Sequence, residues 1–156
     1  MGRRAARWLI PLGVPAAAFA AYWYLTRPEP GTPRQQILRL IAEVERAIEQ
    51  RRVSDVMKFV SEDYQDSRGY TRRDVQRLVV AGLRSRNVLD LSVQVTQISV
   101  RGDQASFMAE VDYCVGQPVS AGRAAHLTVQ GHLRREGRHW RIVRGEGWQE
   151  AESAYF

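Results

Sequence analysis

The sequence predicts an α+β domain in which three helices precede a strongly bent antiparallel sheet of about four strands, with one further apolar helix ahead of them. Three observations carry this. Apolar residues recur at steps of three and four up to about residue 83 and alternate at steps of two from residue 89 onward. Turn signals divide the alternating part into hairpins. The chain has 156 residues, 44% of them hydrophobic, which is enough for one ordinary core and a short appendage.

The first element is the uncharged, mostly apolar stretch Trp8 to Leu25, preceded by Arg3, Arg4 and Arg7. As a helix of that length it would reach about 27 Å, near the short limit for a bilayer span. The early arginines would hold the N-terminus in the cytoplasm and put the domain on the far side of the membrane, periplasmic or extracellular. Ala18-Phe-Ala20 would suit cleavage of a signal peptide, and Pro11, Gly13 and Pro15 weaken a continuous helix. Trp8 at one end and Tyr22-Trp23-Tyr24 at the other match interfacial belts and favour an uncleaved anchor. Residues 1–27 are therefore read as anchor or signal peptide, 28–33 as a proline-rich spacer, 34–150 as the domain and 151–156 as a tail.

The most secure helix follows Thr32-Pro33, with Ile37, Leu40, Ile41, Val44 and Ile48 on one side. A shorter one is expected from an N-cap at Ser54, with Val56, Met57, Phe59 and Val60 as its stripe and an end before Tyr64. Thr71 and Asp74 resemble a capping box for a third, faced by Val75, Leu78, Val79 and Leu83.

Leu89, Leu91, Val93 and Val95 share one strand phase while Ile98 and Val100 share the other, so a bulge is expected near Thr96-Gln97. Gly102-Asp103 reads as a two-residue turn that pairs Val100 with Ala105 and Ile98 with Phe107. A third strand carries Leu127, Val129 and Leu133. A turn at Glu136-Gly137 would set Leu133 opposite Trp140, Gly131 opposite Ile142 and His139 opposite Arg134.

The run Phe59 to Asp74, the strand turn Arg101 to Phe107 and the closing Gly137-Arg-His-Trp-Arg-Ile-Val143 resemble the nuclear-transport-factor-2-like superfamily over about residues 33 to 150. The resemblance implies a cone in which bent sheet and helices enclose a cavity. It also implies functions from ketosteroid isomerase and scytalone dehydratase relatives to pure binding or scaffolding members, the enzymes typically presenting an aspartate or histidine to the cavity.

The residues here argue for binding. The inward strand phase is apolar, with Tyr113 its one clear polar group, and Tyr64, Phe107, Tyr113 and Trp140 are the expected ligand-binding residues, for a small apolar molecule or a protein partner. Glu110, Asp112, His126, His132 and His139 fall in the outward phase. The rival reading is an isomerase, dehydratase or hydrolase using Asp66 or Asp112 as base and Tyr113 as hydrogen-bond donor. Against Asp66, the loop Asp63 to Tyr70 has the composition of a self-bonded turn, with Gly69 as its permissive backbone.

No metal and no cofactor are expected. His126 and His132 are six residues apart on one strand, about 20 Å, and no phosphate loop, zinc spacing or Ser/His/Asp order is present. Cys114 is the lone cysteine and reads as a small hydrophobe. The formal charge of +6 does not imply nucleic-acid binding: half of it lies in residues 1 to 31, and the rest is interleaved with acids. Self-association through the outer sheet face, by Met108, Cys114, His126 and His132, is a further expectation.

Overall fold

The computed structural model describes residues 31–84, 88–115 and 123–148. The expected membrane segment 8–25, most of the spacer and the tail lie outside them. Among the described residues no helix is long and apolar enough to cross a membrane.

Helix α1 spans Pro33–Glu49 and starts as its sequence demands. Thr32 Oγ1 accepts from the Gln35 amide at 3.3 Å while Gln35 Oε1 accepts from the Thr32 amide at 2.9 Å, a reciprocal capping box with proline just inside. Pro33 thus belongs to the helix and not to a spacer. The helix ends in a Schellman arrangement, Arg52 N donating to Ala47 O and Arg51 N to Ile48 O. The left-handed position there is filled by Arg51 at φ 56°, and its guanidinium donates to Leu83 O at 3.3 Å, at the end of the third helix.

Helix α2, Val53–Met57, is a single turn whose N-cap is Arg52 and lacks a side-chain cap bond, so Ser54 lies inside it and does not cap it. It also stops earlier than the apolar spacing suggests. Phe59 and Val60 leave the helix because the final strand has an edge to be satisfied. Ile142 N donates to Phe59 O at 2.8 Å, Ser61 N to Ile142 O at 2.9 Å and Gln65 N to Val143 O at 3.1 Å. The segment 59–65 therefore runs parallel beside that strand and blunts its edge. Helix α3, Arg72–Arg84, opens with Asp74 accepting from the Thr71 amide at 2.9 Å and from its hydroxyl at 2.6 Å. Arg72 reaches back to the Met57 and Val60 carbonyls, closing the end of α2.

Strands β1 (Val88–Arg101), β2 (Gln104–Val115), β3 (Arg123–Glu136) and β4 (His139–Glu146) form one antiparallel sheet in chain order, with the helices on its concave face. The expected bulge is present: pairing slips between Val95 and Gln97, and Val100 and Ile98 meet Ala105 and Phe107. The last hairpin differs from expectation. Its turn residues are Gly137-Arg138, so Leu133 faces Ile142, Arg135 faces Trp140 and Glu136 faces His139. Gly137 takes the positive φ, 61°, that the first position of a tight hairpin turn requires, which fixes the turn one residue later. A second irregularity, between His132 and Leu133, then sets Gly131 opposite Gly145.

The main core joins Ile37, Leu40 and Ile41 of α1 to Ala105, Phe107, Ala109, Leu133 and Trp140 of the sheet. Phe107 lies flat over Gly131, and a Cβ added there would overlap its ring. Gly131→Ala should therefore cost about 1–3 kcal/mol in urea denaturation by overpacking. Adding Phe107→Leu should make the pair cost less than the sum of the singles; strict additivity would show that the ring is not what excludes the methyl.

A polar lock fastens the edge segment to the hairpin. Ser61 Oγ, in a fully buried residue, donates to Glu136 Oε1 at 2.6 Å, and Arg134 bridges Glu136 at 2.7 Å and Asp63 at 2.8 Å. The Ser61 hydroxyl, and after it the Arg134 guanidinium, hold the Glu136 carboxyl below its ordinary 4.5. Its contribution to stability is complete above that value and drains away as pH falls through the lower folded one. The stability gap between the native chain and Glu136→Gln should thus be open at neutral pH and narrow as the pH falls below the ordinary 4.5 and on through the lower folded value; a gap that widened in acid would reverse this assignment.

Candidate functional site

Three regions hold the residues that the sequence singles out. The first is the inner sheet face. Phe107 and Trp140 share the main core, Tyr64 belongs to a second cluster with Met57 and Val60, and Tyr113 is buried in neither. The four residues expected to meet one ligand are therefore divided among three places. α1 packs into the cone, and Val93 is half-buried against that main core, its amide donating to Glu45 Oε1 at 3.2 Å; Val111, which is not part of this cluster, is half-buried as well. The α3 side chains Val75, Leu78 and Val79 are half-buried likewise.

The second region is the loop 63–70. Asp66 is 6% exposed, and its Oδ1 accepts from the Arg68 and Tyr70 amides, both at 2.9 Å. Asp66 N donates to Tyr70 O and Gly69 N to Asp66 O, with Gly69 at φ 82°. The carboxylate is thus the organiser of its own turn. Beside it, burial, followed by the negative charge of Asp66, pushes the Tyr64 phenol up to about 12. Its hydroxyl faces Trp148 and the Gly145 backbone, where a Cβ on residue 145 would come within 3.2 Å of it. Trp148 Nε1 donates to Gly145 O at 3.2 Å, and its ring centroid lies 5.7 Å from that of Tyr70. Tyr64 is thus a buried phenol whose hydroxyl is engaged within the fold by Trp148 and the Gly145 backbone.

Asp112 stands on the other side of the sheet. Its side chain is 69% exposed and lies 2.8 Å from His126 Nδ1, and its hydrogen bond raises the His126 imidazole above the ordinary 6.5. Successive strand residues point to opposite faces, so Asp112 cannot meet the buried Tyr113 as base and donor in one cavity. Met108 is exposed on this outer face, with His132 and Cys114 half-buried. Among the described residues no group of three His, Cys, Asp or Glu is placed to hold a metal.

A fourth region was not legible beforehand. A half-open groove of about 510 Å³ runs between α1 and the start of β4. Leu40, Phe59 and Trp140 form its floor, while Arg39, Glu43, Lys58, His139 and Arg141 stand around it. At its base the buried Gln36 side chain accepts from Trp140 Nε1 at 3.0 Å and from Arg135 Nη2 at 3.3 Å. Arg135 also lies over the Trp140 ring, 4.8 Å from its centroid. The available sequence signal was a glutamine in line with Leu40 and Glu43 at helical spacing, flanking the apolar stripe. Trp148 was missed as well; its signal was a tryptophan just after a glycine.

If Asp66 is a turn residue, Asp66→Ala should lose about 1–3 kcal/mol of stability. Asp66→Asn, which keeps an accepting oxygen, should lose less than half of that. Urea denaturation of both variants distinguishes this from a general-base role, for which the two would be equally damaging to turnover and need not differ in stability.

No protein-family model matches the chain, and no curated protein matches it. Solved structures do. A putative calcium/calmodulin-dependent protein kinase type II association domain from Thiobacillus denitrificans superposes with a TM-score of 0.59 at 16% identity, over 78% of this chain and 97% of that one. An NTF-2-like protein of unknown function from Shewanella oneidensis gives 0.59 at 12%, over 74% and 98%. A ketosteroid isomerase-like protein from Erwinia carotovora atroseptica gives 0.58 at 11%, over 71% and 91%. The chain shares the α+β fold of these NTF-2-like and ketosteroid isomerase-like structures; at these identities the likeness extends to the fold alone.

Proposed function

We propose that this chain is a non-enzymatic binding domain, held at a membrane by residues 8–25, whose inner sheet face receives a small apolar ligand or an apolar element of a protein partner. The observation that carries the reading is the disposition of its acids. Asp66, the one carboxylate buried among the described residues, is engaged by the amides of its own turn, and Asp112 points to solvent on the opposite face. Proton transfer on a bound substrate needs an acid or base within reach of it. On the inner sheet face Val111 and the buried Tyr113 present mainly apolar surface instead. The solved neighbours include a ketosteroid isomerase-like protein and a putative kinase association domain, so the fold by itself does not choose between chemistry and assembly.

The membrane part of the reading rests on the apolar run, its aromatic ends and the arginines before it. The expressed full chain should fractionate with membranes and resist a high-salt wash.

Binding is tested with the neutral fluorophore N-phenyl-1-naphthylamine. The full chain should enhance its emission saturably, Val111→Gln should weaken that by about tenfold or more, and Asp66→Asn should leave it within about twofold. Turnover of any compound in a mass-spectrometric metabolite screen, reduced about a hundredfold by Asp66→Asn or Asp112→Asn, would replace this reading with the catalytic one.

A further inference from the structure

The groove between α1 and β4 differs in chemistry from the inner sheet face. Its floor is apolar, while its rim carries the guanidinium groups of Arg39 and Arg141 and the ammonium of Lys58, with Glu43 the one carboxylate among the described residues that line it. The acids that pair with two of these cations, Asp55 with Lys58 and Glu136 with Arg141, are not among the residues lining the groove. The Lys58–Asp55 pair is a 2.6 Å surface contact one helical turn long, with the lysine side chain 69% exposed. Such pairs contribute little to stability, so the ammonium is readily turned toward another anion.

Size and shape narrow the occupant. About 510 Å³ lies within the range of small-molecule sites. An extended peptide would need a free strand edge to pair with, and at Ile142 that edge is already bonded to Phe59 and Ser61. Glu43 on the rim penalises a dianion more than a monoanion. Three cations above a Leu40–Phe59–Trp140 floor complement a ligand with one negative end and an apolar body.

We infer that this groove binds a small amphipathic carboxylate, its hydrocarbon body on Leu40, Phe59 and Trp140 and its charged end among Arg39, Lys58 and Arg141. The site is separate from the inner sheet face: it opens between helix and hairpin, and Val93, Val111 and Tyr113 do not line it. Arginine provides the planar fork that a carboxylate prefers, and the aromatic floor removes apolar surface from water.

The sequence supplies its own reporter, since Lys58 is the only lysine. Reductive methylation of the full chain with ¹³C-formaldehyde labels Lys58 and the terminal amine, giving one resonance in the groove and one elsewhere. Decanoate should shift the Lys58 resonance saturably. Acetate, lacking the body, and decyltrimethylammonium, lacking the negative end, should produce no saturable shift over the same range. Arg39→Gln, an exposed change that leaves the core intact, should weaken decanoate binding by about tenfold with an unchanged circular dichroism spectrum. Val111→Gln should not alter it. Equal responses to decanoate and acetate, a saturable response to the cation, or full affinity in Arg39→Gln would each overturn the assignment. Loss of the shift in Val111→Gln would place the ligand on the inner face instead.

Discussion

The arrangement depends first on one buried amide. Trp140 is 3% exposed and Gln36 is 4% exposed, and an indole N–H enclosed without an acceptor costs the full desolvation of that group. Gln36 Oε1 meets that demand and at the same time accepts from Arg135, while its Nε2 donates to Gly31 O at 3.2 Å. One side chain thus fixes the closing hairpin, the first turn of α1 and the residue before its cap relative to each other. With the helix held at this point, Leu40 and Glu43 face the hairpin from one and two turns further along. The groove is the space that the two elements leave as they diverge.

A second constraint acts at the sheet edge. A terminal strand leaves a row of donors and acceptors that must be covered or defended. Here α2 is cut short so that 59–65 can supply partners to Ile142 and Val143, and the Ser61–Glu136–Arg134–Asp63 lock keeps it there. Tyr64 is then carried under Gly145 and Trp148, and the Asp66 turn follows at once. The loop that sequence reasoning marked for chemistry therefore owes its position, and its burial, to the repair of a strand edge.

What could be read in advance follows from side-chain parity. The β1 bulge and the first hairpin were legible because apolar residues change phase there by one, and a one-residue slip reverses every side chain. The last hairpin was misread by two residues, with Leu133 set against Trp140 and not against Ile142. A two-residue slip preserves parity, so Trp140 was still correctly turned inward and His132 outward. The end of α2 was not legible, because Phe59 and Val60 fit a helical stripe as well as they fit a strand; the deciding partner is Ile142, over eighty positions away. The groove escaped for a similar reason: Gln36, Lys58 and Trp140 are unremarkable until tertiary packing joins them.

The same parity bears on chemistry. On β2, Glu110 and Asp112 share one face, and Ala109, Val111 and Tyr113 share the other. Moving an acid of this strand into the cone would require a bulge between Ala109 and Tyr113, yet the β2–β3 register runs without interruption from Gln104 to Val115. The pairing is further held by side chains, since His126 bonds Asp112 directly across the strands. Relocating that carboxylate would therefore break a ladder and a charged cross-strand pair together, and would turn Val111 and Tyr113 out into water. On β2, from Ala105 to Tyr113, the side chains turned into the cone are therefore apolar apart from the Tyr113 hydroxyl.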